Sequence, residues 1–324
     1  MAEDNTTPPT LKEAALEEVV WRDDLIRWEG GLNGDIKKSA SDNDDDSSSE
    51  NGQFDLFADP DPFEMFNFDF TLPSNNRQDN EVDSSNNNIS KRTLPLKIKG
   101  YKTDAEQVWQ STGLTLWRAS HYLCEYQIEH YAELFTSNKR VLELGAGLGL
   151  NGILAWRLML LNASAESSNV GTGNGGEVCI TDGDIDALVH LRENVERNRP
   201  SSTDDDDNGD NNTKATSNKV SCHQLIWGQE SSQKFLSHIA HNQKYDVLIA
   251  SDIVYSAVIV EPLWETVSTL LEREGGVFVM AFARRKVPVS IDLVLEKAVE
   301  SGFGYDLVKE DLEDGIWVYE FRFS

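Results

Sequence analysis

The chain has 324 residues and a formal net charge of −27 at pH 7, with 56 acidic against 29 basic residues. A length of this order can hold two average domains, but the composition divides instead into one large folded unit and an extension too polar to fold alone. Lys91 to Lys102 is only a modest basic run, and nothing longer is available to neutralise several phosphates together, so generic nucleic-acid binding is not expected.

Residues 1–90 hold 22 Asp and Glu against six Lys and Arg and are dense in Ser and Asn. Such a segment repels itself and buries too little apolar surface to offset its chain entropy, so a disordered acidic tail is expected over 1–90 and a folded domain over 91–324. Within the tail, Leu11, Ala15, Val19, Leu25 and Trp28 follow helical spacing and predict a short helix at 11–28. The segment FDLFADPDPFEMFNFDF, residues 54–70, alternates aromatic and acidic residues and suits a disordered peptide that docks a partner. The amino terminus lacks a basic start followed by an apolar core, and no run of 18 apolar residues occurs, which predicts a chain with no membrane association. Cys124, Cys179 and Cys222 show no CxxC spacing, so buried thiols in the cytosol or nucleus are expected and a metal site is not.

From Arg140 onward, strand and helix signals alternate as in a parallel α/β sheet. Apolar runs at 140–144, 178–182, 220–227, 245–251 and 276–283 predict strands. Amphipathic stretches at 148–161, 184–198, 258–273 and 288–302 predict helices between them. Tyr305–Lys309 and Ile316–Phe323, separated by EDLEDG, predict a closing antiparallel pair. Inserts near 165–177 and at 200–218 are rich in Gly, Ser, Asn and Asp and read as loops.

The strand at 140–144 passes through LELGAGLGLNG directly into a helical pattern. Gly145 and Gly147 permit a sharp turn and close approach of backbone to a ligand, at a helix start that presents free amides. The GxGxxG of dinucleotide enzymes is not met, because Leu150 stands where its third glycine would be. Glu143 is placed either to take a hydrogen bond from a ligand ammonium or to restrain the loop. Asp182 ends the second strand, where a carboxylate accepts from ribose hydroxyls. It lies 37 residues past Gly145, and removing the Gly/Ser/Asn insert of about 16 residues restores the usual separation of about 20. Asp184 is the rival ligand, although it better suits a helix cap, and Asn194 and Asn198 read as surface or capping residues. Trp227 follows the third strand, where an indole either covers a purine or packs into the core. Asp252 follows the fourth strand, positioned for chemistry or for capping a turn, with Tyr255 three residues on.

Together with the upstream WRAS segment, the glycine turn, LIWG and SDIVY resemble family 16 of the seven-β-strand methyltransferases, over about 210 residues from Gly113 onward. SDIVY matches the DxxY signature of that family, whose members mostly methylate protein lysines. The resemblance implies a Rossmann-like seven-strand sheet with helices on both faces and S-adenosylmethionine as cofactor. It further implies cofactor contacts at Trp117, Gly145, Ala146, Gly147, Asp182, Trp227 and Ser251, the last a position where the family more usually has alanine. Asp252 is then expected to orient a lysine amine and Tyr255 to shape its channel. A methyltransferase acting on a small molecule or on histidine, a noncatalytic cofactor-binding scaffold and a nicotinamide-dependent oxidoreductase are the competing readings.

Overall fold

The structure, a computed structural model, describes residues 62–73, 92–102, 112–166, 176–200, 219–284 and 289–324. In chain order these form β1 (Phe63–Thr71), β2 (Thr93–Tyr101), a 3-10 turn (Thr112–Leu114), α1 (Arg118–Glu129), α2 (Tyr131–Leu134), β3 (Arg140–Glu143), α3 (Leu150–Glu166), β4 (Glu177–Asp182) and α4 (Ile185–Arg197). They continue with β5 (Lys219–Gln224), α5 (Gln229–His238), β6 (Val247–Ser251), a 3-10 turn (Ala257–Ile259), α6 (Val260–Leu270), β7 (Val277–Ala283), α7 (Ile291–Glu300), β8 (Phe303–Asp311) and β9 (Ile316–Phe323).

Among the described residues, seven strands form one sheet in the order β5-β4-β3-β6-β7-β9-β8. The first five are parallel, and β9 runs antiparallel to both β7 and β8. The chain enters the sheet at β3, builds outward to β5, and returns to β6 on the other side of β3. That reversal opens a crevice at the carboxyl ends of the central strands. Because helices cover both faces, the central strands are apolar on both sides. Val141, Ile180, Ile249 and Val279 pack on one face with α1, α3 and α4, while Leu142, Leu248, Phe278 and Met280 pack on the other with Phe235, Leu263 and Trp264. The expected parallel strands and the closing antiparallel pair are all present, with small shifts at their ends, as are the four expected helices. No helix among the described residues is long and apolar enough to cross a membrane.

The amino-terminal boundary needs correction. The tail expected to be disordered through residue 90 contains β1, which pairs antiparallel with β2 in a register running from Phe63 opposite Tyr101 to Thr71 opposite Thr93. The alternation of aromatic and acidic residues that suggested a partner-docking peptide is here the two-residue period of a strand. It turns Phe68 and Phe70 inward onto the same core as Leu94, Leu96 and Ile98. For residues 62–73 the docking partner is therefore the chain's own domain. The expected helix at 11–28, nearly all of the two inserts and the rest of the tail lie outside the described residues.

Of Asn194 and Asn198, expected as surface or capping residues, Asn198 is the C-cap of α4, as the capping alternative has it, but both are buried rather than on the surface, at 0% and 4% exposure. Four residues apart, they share one face of α4 and meet the edge of β2 that β1 leaves unpaired. Asn194 accepts from the Lys99 amide at 2.8 Å and donates to the Lys99 and Leu148 carbonyls at 3.0 and 3.1 Å. Asn198 accepts from the Lys97 amide at 2.9 Å and donates to the Lys97 carbonyl at 2.7 Å. The two carboxamides thus act as a surrogate strand for backbone groups that would be costly to leave unpaired. Asn194→Ala is expected to lower unfolding free energy by about 2–4 kcal/mol, through several orphaned backbone groups. Denaturant unfolding measures this, and a loss below about 0.5 kcal/mol, the level of an ordinary surface substitution, would contradict the role.

Candidate active site

The site begins where β3 ends. Gly145 and Gly147 take φ of +62° and +53°, the left-handed region that side chains disfavour. Space constrains them as well: a Cβ on Gly145 would meet Ile253 Cγ2 at 2.7 Å, and one on Gly147 would meet the Gly113 carbonyl oxygen at 2.9 Å. The turn is stitched to β4 by the Ala146 amide, which donates to the Thr181 carbonyl at 2.9 Å, and by the Gly147 amide, which donates to Asp182 Oδ2 at 2.8 Å. Asp182 Oδ1 accepts from the Asp184 amide at 2.9 Å. Burial raises the Asp182 pKa, and the amide hydrogen bonds from Asp184 and Gly147 counteract it. Asp184 itself caps α4 by accepting from the Asp186 amide at 2.9 Å, in agreement with its expected role.

These elements border a cavity of about 640 Å³, within the size range of small-ligand sites. Trp117, Gly145, Ala146, Gly147, Asp182, Trp227, Ser251, Asp252 and Tyr255 all line it, so nine of the ten expected site residues come together from five separate regions of the chain. Trp117 precedes α1 in an extended conformation, its carbonyl accepting from Ser120 Oγ at 2.5 Å. Trp227 lies against the turn, its Cζ2 lying 3.3 Å from the Cβ position of Gly145, and the next amide, Gly228, is tied to Thr266 Oγ1 at 2.9 Å. Asp252 adopts φ +58°, and its amide donates to the Ala281 carbonyl at 2.9 Å. Aspartate tolerates this conformation better than most residues, and such a turn aims a side chain out of the strand line. Asp252 is 8% exposed, whereas Tyr255 stands at the mouth at 46%.

Glu143 is the exception. It is 2% exposed and outside the cavity lining, with its carboxylate accepting from the Gly152 amide at 2.9 Å. The expectation of a cofactor contact gives way to the loop-restraining alternative, because a side chain at the strand's end points inward beneath the start of α3. Asn151 is a lining residue that sequence reasoning missed, although its position just past the glycines was the available signal.

Burial pushes the Glu143 carboxyl well above the usual carboxylate range; the Gly152 amide opposes the shift and the nearby Asp182 charge adds to it. An unfolded glutamate titrates near about pH 4.3, so above that value the folded state retains a proton the unfolded chain has lost. Its contribution to stability is full below the unfolded pKa and is lost as pH rises through the folded one. Glu143→Gln keeps an acceptor for Gly152 and removes this linkage. The stability of the variant relative to the parent should therefore increase from about pH 5 to about pH 8 in denaturant unfolding. A difference independent of pH would contradict the assignment.

A family profile described as lysine methyltransferase matches residues 99–291. Protein N-lysine methyltransferase METTL21A of Xenopus tropicalis is 30% identical over 162 residues, covering 49% of this chain and 57% of that protein. Protein N-terminal and lysine N-methyltransferase EFM7 of Yarrowia lipolytica is 28% identical over 201 residues, covering 61% and 66%. Calmodulin-lysine N-methyltransferase of Arabidopsis thaliana is 24% identical over 196 residues, covering 60% and 51%. The chain thus spans between about half and two thirds of the length of these curated relatives. With the profile covering more than half of its length and the site residues gathered around one cavity, the chain belongs to the lysine methyltransferase family.

Proposed function

We propose that this chain is an S-adenosylmethionine-dependent methyltransferase whose acceptor is a lysine side chain of another protein. The observation that carries the reading is that Asp182, Trp227 and the Ser251–Asp252 pair, at or just past the ends of β4, β5 and β6, face one cavity with the glycine turn after β3. The names of the relatives favour a protein amine as acceptor, on lysine in each case and also at the protein N terminus for EFM7.

The residues fit this cofactor. The turn has no side chains at Gly145 and Gly147 to keep a ligand away from the backbone. Asp182 accepts from the Gly147 amide through Oδ2 and from the Asp184 amide through Oδ1, and the carboxylate has further acceptor capacity for a ribose hydroxyl. The Trp227 indole offers a flat apolar face to a purine next to that ribose. When bound, S-adenosylmethionine supplies an electrophilic methyl carbon on a positively charged sulfur, already a good leaving group. The protein's task is then to position the acceptor and manage its proton.

An ammonium has no lone pair, so the lysine must be neutral when its nitrogen attacks. Asp252 accepts a hydrogen bond from the amine N–H and directs the nitrogen lone pair inward. Its charge favours the ammonium, whereas the apolar Ile253, Ile259 and Pro262 disfavour it, and the opposed effects hold the amine near its titration point. Transfer forms the N–C bond, breaks the S–C bond and leaves the nitrogen positively charged with one proton in excess, and that proton exits to water past the exposed Tyr255. The Tyr255 ring also provides a face for the incoming cation. The cytosol or nucleus is the compartment proposed, in keeping with Cys124 and Cys179 as buried free thiols.

Calorimetric titration with S-adenosylhomocysteine, combined with labelled methyl transfer to lysate protein, tests the reading. Asp182→Ala should weaken binding by about 30-fold or more, from the loss of both ribose contacts and loop fastening. Asp252→Asn preserves the left-handed turn and should bind within about threefold of the parent, while transfer falls by about 100-fold or more. Binding of NAD in place of S-adenosylhomocysteine, or transfer that survives Asp252→Asn, would overturn the assignment.

A further inference from the structure

A line of buried polar side chains runs from α1 to the floor of the cavity. Asn151, in the first turn of α3, is 1% exposed, and its Oδ1 accepts from Gln127 Nε2 at 3.0 Å and from Cys124 Sγ at 3.2 Å. Its Nδ2 donates to Ser251 Oγ at 3.1 Å. A carboxamide can be turned end for end, and with Oδ1 toward α1 this one accepts from both Gln127 Nε2 and the Cys124 thiol. Burial pushes the Cys124 pKa well up and keeps the sulfur protonated, a donor in need of an oxygen acceptor. Oδ1 therefore faces α1, and Nδ2 faces Ser251. A serine oxygen that accepts from Asn151 still has its own proton to give, and no other hydrogen bond to the Ser251 hydroxyl is made by the described residues. Because Ser251 lines the cavity, that donor is available to a ligand.

Sheet order indicates which end of the ligand it meets. Trp227 follows β5 and Asp182 ends β4, so a nucleoside held between them lies on one side of β3. Ser251 ends β6, on the other side of β3, where the amino-acid end of the same molecule would extend. That end carries an ammonium and a carboxylate, and of the two only the carboxylate can accept the Ser251 proton. We propose that Asn151 is a positioning residue that sets the Ser251 hydroxyl as a hydrogen-bond donor to the carboxylate of S-adenosylmethionine. The inference rests on the cofactor reading above.

Calorimetry with two nucleosides tests it: S-adenosylhomocysteine, and 5′-methylthioadenosine, which lacks the amino-acid end. Ser251→Ala should weaken S-adenosylhomocysteine about tenfold and leave methylthioadenosine within about twofold. Asn151→Leu, of similar volume, should show the same selectivity and add nothing when combined with Ser251→Ala. Equal weakening of both nucleosides, no weakening of either, or additive effects of the two substitutions would overturn the proposal. The Ser251→Ala arm stands alone if Asn151→Leu does not fold. A parent protein that binds neither nucleoside would remove the cofactor reading itself, whereas one that binds both without the Ser251 selectivity would remove this inference alone.

Discussion

The hydrogen bond from the Gly147 amide to Asp182 is the contact on which the site depends. It joins the turn after β3 to the end of β4, and so fixes at once where the backbone approaches a ligand and where a carboxylate waits for it. Both ends of the bond are constrained. Gly147 must take a left-handed conformation against the Gly113 carbonyl, and Asp182 must remain a good acceptor although burial raises its pKa. A second acid, Glu143, braces the same junction from beneath through the Gly152 amide. The two acids are two residues from Gly145 and 37 residues beyond it in sequence, yet they serve one turn. One faces the cavity and the other is sealed behind it.

Around this junction, buried side-chain amides make connections usually left to backbone. Asn194 and Asn198 complete the open edge of β2, and Asn151 links α1 and α3 to the end of β6. Such groups are costly when unpaired and directional when satisfied, so they fix placement more strictly than apolar packing does. The β1–β2 hairpin is consequently bound to the domain both by Phe68 and Phe70 in the core and by polar contacts with α4.

The sheet was legible because parallel strands covered on both faces are continuous apolar runs, and the glycines, Asp182 and SDIVY stand at their ends. Nine of the proposed site residues could be named because each follows such a run or lies in the WRAS segment. The misses have common physical causes. β1 was concealed by its acidic surroundings: net charge over 90 residues outweighed a two-residue alternation only nine residues long. The side of Glu143 was not legible because strand position alone does not say whether a side chain at the end of β3 faces the crevice or the helix beneath it. Asn151, Asn194 and Asn198 were undervalued because a polar residue on a helix is ordinarily solvated, and only the tertiary fold brings unpaired backbone or another side chain to it.

The central claim is that the cavity delivers a methyl group to a lysine amine of a protein. The most direct measurement is incubation of the chain with isotopically labelled S-adenosylmethionine and protein lysate, followed by mass-spectrometric mapping of the labelled residue. The account predicts label on a lysine side chain, dependent on the added chain. Label confined to histidine, to protein N termini or to small molecules, or no label above a reaction without the chain, would contradict it.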